Sequence, residues 1–156
     1  MNLPRIHPIS KSEFEISEPY HQVFAHDNAR RFAKLELPNT SFRTTLSWRS
    51  DLIEPSIIVD EAAALVWIGV DERFAALSFD GQIRLSSPLE SPLLTILQFV
   101  GGIIVVCELA AIVMNDNCGV EKSIDFQEIP ERVEVQGKHL KVDFIDGSTE
   151  EFSLER

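Results

Sequence analysis

Between Ser56 and Leu154 the chain repeats one pattern three times: an apolar run, a tight turn, a second run, then a further turn and a third and sometimes a fourth run. The runs are 56–59, 65–70, 74–79 and 82–85, then 94–100, 103–108, 111–114 and 120–126, then 132–135, 139–144 and 150–154. Short runs rich in Val, Ile and Phe, bounded by Asp-Gly, Gly-Gly and Asn-containing turns, are strands of an antiparallel sheet. The first-strand valines Val59, Val100 and Val135 fall 41 and 35 positions apart, within the range in which β-repeat arrays recur.

Which faces are apolar says how each repeat is covered. In Leu65-Val66-Trp67-Ile68-Gly69-Val70 and in Ile103-Ile104-Val105-Val106-Cys107, neighbouring residues are apolar although they point to opposite faces, so both faces are expected to be covered. The last repeat alternates instead. Val133, Val135, Leu140, Val142, Phe144, Phe152 and Leu154 are interleaved with Glu134, Lys141, Asp143, Glu151 and Ser153, which predicts one wet face. Alternation also marks the N-terminal segment, where Phe14-Glu15-Ile16, residues 21–25, 31–37 and 41–48 read as the strands of a degenerate fourth unit.

The central unit, with Val59-Asp60-Glu61, Leu65-Val66-Trp67-Ile68-Gly69 and Ala76-Leu77-Ser78-Phe79-Asp80-Gly81, resembles a blade of a WD-repeat or quinoprotein-type β-propeller. The resemblance covers about Ser56 to Leu154 and is one of pattern: no Trp-Asp dipeptide and no Gly-His opening is present. It implies an all-β fold of antiparallel sheets built from three to four propeller-blade-like repeats, as a partial propeller, an open array or a ring completed by a second copy. It carries over no binding or catalytic residue. A small β-sandwich is the alternative, since short strands at regular spacing predict either. The expected organisation is a flexible leader over 1–12 and a single all-β repeat domain over 13–156, with the degenerate unit at 13–50 and the clear units at 56–87, 93–126 and 131–154.

A chain of 156 residues is long enough to bury a core without a disulfide or metal. Its formal charge is −11, placed unevenly: residues 1–50 carry seven Lys/Arg against five Asp/Glu, residues 51–156 seven against twenty. No Lys or Arg occurs between Arg84 and Lys122, so the phosphate-neutralising patches of a nucleic-acid binder are missing from the middle of the repeats, and direct nucleic-acid binding is not expected. The first eight residues hold no continuous apolar stretch of a secretory signal, which makes a cytoplasmic location the expectation. Cys107 in an apolar strand and Cys118 in a turn are expected to be too far apart to bridge, so both are read as reduced. Residues 93–114 are long and apolar enough to cross a bilayer, yet Gly101-Gly102, the Ile/Val-rich flanks and Glu108 favour a buried hairpin, and no membrane partner is expected.

Enzyme signatures are absent: no phosphate-cradling glycine loop, no Gly-x-Ser-x-Gly elbow, no His-Glu-x-x-His, no paired Cys-x-x-Cys. Neither catalytic residue, metal site nor cofactor is therefore assigned. His7, His21, His26 and His139 have no converging ligands in sequence, and Asn115-Asp116-Asn117-Cys118-Gly119 is a hairpin turn out of register for a calcium loop.

One constellation does suggest function. Asp71 and Glu72, Glu108, and Asp143 with Asp146 fall at or near the turn between the second and third strands of successive units, and the junctions carrying Glu90, Glu128 and Glu131 return to the same side. Carboxylates gathered on one edge with few cations suit a basic protein surface. The expected function is thus a non-enzymatic, acidic protein-binding module, of the size and charge of an immunity protein or inhibitor that neutralises a basic, nucleic-acid-targeting toxin. Two alternatives stand beside it: a self-assembling β-repeat subunit, hence a homo-oligomer using open strand edges, and a small-molecule or sugar-binding domain lined by Trp48, Trp67 and Tyr20, with Trp48 the more exposed.

Overall fold

The computed structural model describes residues 3–18 and 22–155; Tyr20 and His21, singled out above, lie outside the described residues. In chain order the elements are β1 (Arg5–Pro8), α1 (Lys11–Ile16), β2 (Gln22–Phe24), β3 (Arg31–Glu36), β4 (Arg43–Trp48), β5 (Ser56–Asp60), β6 (Leu65–Val70), β7 (Arg73–Ser78), β8 (Ile83–Pro88), β9 (Leu93–Phe99), β10 (Gly102–Cys107), β11 (Ala110–Met114), β12 (Val120–Asp125), β13 (Pro130–Gln136), β14 (His139–Phe144) and β15 (Thr149–Ser153). Every strand expected from Ser56 onward is present, and the sheets are those of propeller-blade-like repeats: β5-β6-β7-β8, β9-β10-β11-β12 and β13-β14-β15, each a meander of antiparallel neighbours.

The N-terminal segment departs from expectation in three ways. Residues 5–8, read as leader, pair antiparallel with β3, Ile6 opposite Leu35. Phe14-Glu15-Ile16, read as a strand, is helical, because Ser10 and Glu13 form a capping box: Glu13 N–H donates to Ser10 Oγ and Ser10 N–H to Glu13 Oε1, each at 3.1 Å. Phe14 is the one buried residue of this helix and tilts against Phe32 at 5.5 Å between ring centroids. Finally, β2 runs parallel to β4, so this sheet, in the order β1-β3-β4-β2, is mixed where the others are antiparallel throughout.

The chain divides into two compact units, 1–88 and 89–156. The physical reason is that each closes a core of its own. In the first, Leu35, Leu46 and Trp48 of one sheet meet Val66, Ile68 and Leu77 of the other. In the second, Ile104, Val106 and Val113 meet Leu140, Val142 and Phe144, with Phe126 set edge-on to Phe144 at 5.7 Å. Burying each such aliphatic side chain contributes about 1.5–3 kcal/mol, the main term holding either unit together. All six residues of β6 and of β10 are buried, whereas β14 alternates, with Leu140, Val142 and Phe144 buried and Lys141 and Asp143 half-exposed.

The repeats share irregularities as well as strands. Arg84 in β8 and Glu121 in β12 are each the extra residue of a bulge at the start of a fourth strand, and Leu94 in β9 and Glu131 in β13 are the extra residues at the start of first strands. The stretch weighed above as a membrane helix is the β9–β10 hairpin followed by β11. Among the described residues no helix is long and apolar enough to cross a membrane.

Candidate functional site

The eight carboxylates expected to share an edge are divided between the units. Asp71 and Glu72 form the β6–β7 turn of the first, where Asp71 adopts φ +53° and its Oδ2 accepts the Arg49 N–H at 2.7 Å. That carboxylate is occupied in tying the turn to the chain after β4. Cations are near it: Arg73 follows Glu72 directly in the chain and Arg49 is brought to the turn by that bond, while elsewhere in the unit Arg30 and Arg31 pair with Asp51 and Glu54.

The other six lie in the second unit, and there backbone hydrogen bonds hold their segments side by side. Glu108 N–H donates to the Pro92 carbonyl at 3.0 Å and Leu109 N–H to Ser91 Oγ at 3.1 Å, which ties the β10–β11 turn to the junction carrying Glu90. Phe126 N–H donates to the Leu109 carbonyl at 2.9 Å, bringing in the β12–β13 junction with Glu128. Ile145 N–H donates to the Ile129 carbonyl at 3.0 Å, adding the β14–β15 turn with Asp146. Asp143 closes the end of β14 opposite Arg132, and Glu131 is the bulged residue beside it. One continuous border of turns and junctions therefore presents Glu90, Glu108, Glu128, Glu131, Asp143 and Asp146.

Their side chains fall into two groups. Asp143 accepts Thr149 Oγ1–H at 2.9 Å, and Asp146 Oδ1 accepts the Ser148 N–H at 2.9 Å and hydroxyl at 2.5 Å. These Ser148 bonds hold the Asp146 carboxyl below the usual aspartate range. Glu90, Glu128 and Glu131 are exposed and Glu108 is half-exposed; these four stand outside the turn bonding that engages the aspartates. None of the six forms an ion pair among the described residues, whereas the charged pairs of the first unit are extensive: His7–Glu36, Lys34–Glu36, Arg30–Asp51 and Arg31–Glu54. Residues 89–156 carry thirteen Asp/Glu against five Lys/Arg, a balance of −8.

The other candidates resolve differently. Trp67 is buried, as expected of a strand apolar on both sides. Trp48, expected to be the exposed one, is only 2% exposed: its indole N–H donates to the Ile53 carbonyl at 3.0 Å and the Arg31 guanidinium lies over its ring at 5.0 Å. A cleft of about 330 Å³ does border Trp48, Phe32 and Ile6, but both its guanidiniums are already held by carboxylates. Neither Cys107 nor Cys118 is in a disulfide. His26 Nδ1 accepts the Asn28 N–H at 3.1 Å within its turn. Among the described residues no group of three or more His, Cys, Asp or Glu is placed to hold a metal ion. What sequence reading missed is Lys122, whose Nζ reaches from β12 to the Ser153 carbonyl at 2.7 Å and the Glu155 carbonyl at 3.2 Å; only the pairing of sheets brings these residues together.

No family model and no curated protein matches the chain. Among solved structures it is similar to BamB from Moraxella catarrhalis, at 12% identity and a TM-score of 0.53, over 96% of this chain and 49% of that one. It is also similar to a streptogramin B lyase, at 14% identity and a TM-score of 0.44, over 98% of this chain and 59% of that one. Both are β-propellers. The propeller-type fold is shared with BamB, of whose length the chain spans about half. At such identity the likeness concerns fold alone.

Proposed function

We propose that this chain is a non-enzymatic protein-binding module that docks a basic protein through the acidic border of residues 89–156, in the role of a cytoplasmic immunity protein or inhibitor for a nucleic-acid-targeting toxin. One observation carries the reading: four glutamates, Glu90, Glu108, Glu128 and Glu131, stand without ion-pair partners among the described residues on segments that backbone bonds fix side by side. Unpaired carboxylates on a rigid border lose little side-chain freedom beyond their own when a cationic surface arrives. Their summed field also speeds encounter, an effect that weakens as salt rises.

The experiment is a comparison of the native chain with a Glu90→Gln, Glu108→Gln, Glu128→Gln, Glu131→Gln variant as baits in an extract of the source cells, at low and at moderate salt. A basic protein retained by the native chain and lost by the variant is the expected result. Equal retention by both baits, or recovery of no basic protein at either salt, overturns the reading.

A further inference from the structure

The acidic border of the second unit also carries apolar side chains that solvation does not call for. Turns favour Gly, Asn, Asp, Ser and Pro, yet its adjoining turns and junctions hold three large aliphatic residues in water: Leu109 and Ile145 are each 57% exposed and Ile129 is 37% exposed. Backbone bonds hold the three together. The Ile145 N–H donates to the Ile129 carbonyl at 3.0 Å, which sets these two side by side, and the Leu109 carbonyl accepts the N–H of Phe126, three residues before Ile129, at 2.9 Å. At the reach of an extended chain, Leu109 then lies within roughly 15 Å of Ile129. A single exposed leucine is ordinary on a protein surface, but three aliphatic residues on hydrogen-bonded neighbouring segments form a patch.

The charge around the patch is almost all of one sign. Its segments, residues 89–92, 107–110, 125–132 and 143–149, carry seven carboxylates against one cation, Arg132, which stands opposite Asp143 in the strand pairing. The far ends of these sheets provide a contrast. Val100 and Val120 are exposed there too, but Lys138 joins Glu121 and Glu155 around Val100 and pairs with Glu155 at 3.1 Å, so that side has no net demand for cations. An apolar centre ringed by charge is the anatomy of a protein interface, in which the rim steers encounter and a few central side chains supply most of the affinity. A partner offering only cations would leave the three aliphatic residues in water. One offering only apolar surface would desolvate glutamates without a counter-charge.

We infer that Leu109, Ile129 and Ile145 are the apolar anchor of the acidic border, and that what docks there is a protein surface with aliphatic side chains at its centre and Lys or Arg around them. The inference rests on the basic-partner reading above and adds what such a partner must present besides charge.

The test uses the whole chain and two synthetic helical peptides of equal length and charge, one with a Leu face flanked by Lys and one with every Leu replaced by Ala, titrated by fluorescence anisotropy. Expected are saturable binding of the Leu peptide and affinity lower by about tenfold or more for the Ala peptide. The double variant Leu109→Ser, Ile145→Ser, at two exposed positions, is expected to bind the Leu peptide about tenfold more weakly while keeping the salt dependence of the native chain. The variant with the four glutamates changed to Gln should do the reverse, losing salt dependence and keeping the preference for Leu over Ala. Should the double Ser variant misfold, Leu109→Ser alone repeats the measurement. Equal affinity of the native chain for both peptides overturns the apolar anchor and leaves charge-led docking standing, because the four-glutamate bait tests the latter separately. A preference for Leu that survives the Ser substitutions overturns it too, by placing the apolar contact elsewhere. So does absence of binding, or a dimer seen by light scattering without peptide that the Ser substitutions dissociate.

Discussion

Lys122 Nζ donates to the main-chain carbonyl of Ser153 at 2.7 Å and to that of Glu155 at 3.2 Å, joining the fourth strand of one sheet to the end of the next. The acceptors are carbonyls, so the contact draws on charge-assisted hydrogen bonding more than on pairing with the nearby Glu155 carboxylate, which is held by Lys138 at 3.1 Å. Lys122→Met keeps most of the aliphatic stem and removes the donor. Because the site is exposed, the expected loss is about 1 kcal/mol in denaturant unfolding, with faster amide exchange at Leu154. An unchanged melt together with unchanged exchange would mean the contact contributes nothing.

Gly102 and Gly137 both sit at hairpin ends with positive φ, +151° and +63°, but their surroundings differ. A Cβ on Gly102 would lie 2.0 Å from the Met114 carbonyl oxygen, a backbone atom of the paired strand β11 that cannot move without opening the sheet. A Cβ on Gly137 would meet nothing within 4 Å. Gly137→Ala is therefore expected to cost only the left-handed backbone penalty of about 1–2 kcal/mol. Gly102→Ala adds overpacking, for about 3 kcal/mol or more in total, and urea melts of the two variants side by side would show the gap.

The contrast between the hairpins and the N-terminal segment explains how far sequence carries the fold. From Ser56 onward, Asp80-Gly81, Gly101-Gly102 and Asp146-Gly147 punctuate apolar runs, and the period-2 pattern of β13 to β15 predicts the wet face seen in their burial. Phe14-Glu15-Ile16 is too short to distinguish a period of two from one of 3.6, and it is the Ser10-x-x-Glu13 capping box just before it that decides for helix. Parallel pairing of β2 with β4 is a non-local event with no sequence marker. For the border, turn position is readable from polar residues, but the bonds Phe126 to Leu109 and Ile145 to Ile129 are tertiary. Trp48 misleads because its neighbours Arg49 and Asp51 are polar, whereas its own surroundings, the Ile53 carbonyl and Arg31, come from other segments.

The two cysteines should separate chemically. Cys107 lies in β10, 3% exposed, and burial pushes its thiol up to about 11. Cys118 is partly exposed in the β11–β12 turn with φ +62°. At pH near 8, Ellman's reagent is expected to titrate one thiol in the native chain and both after denaturation, since only an accessible thiolate attacks at a useful rate. Two thiols reacting fast in the native protein would show that β10 opens readily.

Acid should loosen the Asp turns in a definite direction. Hydrogen bonds from Ser148 to Asp146, and from Ser78 and the Gln82 N–H to Asp80, lower both carboxyls below the usual aspartate range. For a group whose folded pKa is depressed, the native state binds the proton less readily than the unfolded chain. The stabilisation is whole above the unfolded value, near about pH 4, and is lost as pH falls through the lower folded value. Ser148→Ala removes the main donors' hydroxyl and brings the Asp146 carboxyl back toward its unfolded value. Its stability deficit relative to the native chain is therefore expected to be largest at neutral pH and to shrink below about pH 4, as read from urea unfolding across a pH series. A deficit that stays constant down the series would show that the Ser148 hydroxyl does not favour the ionised Asp146, and that the turn draws its stability from the backbone bond between Gly147 N–H and the Phe144 carbonyl instead.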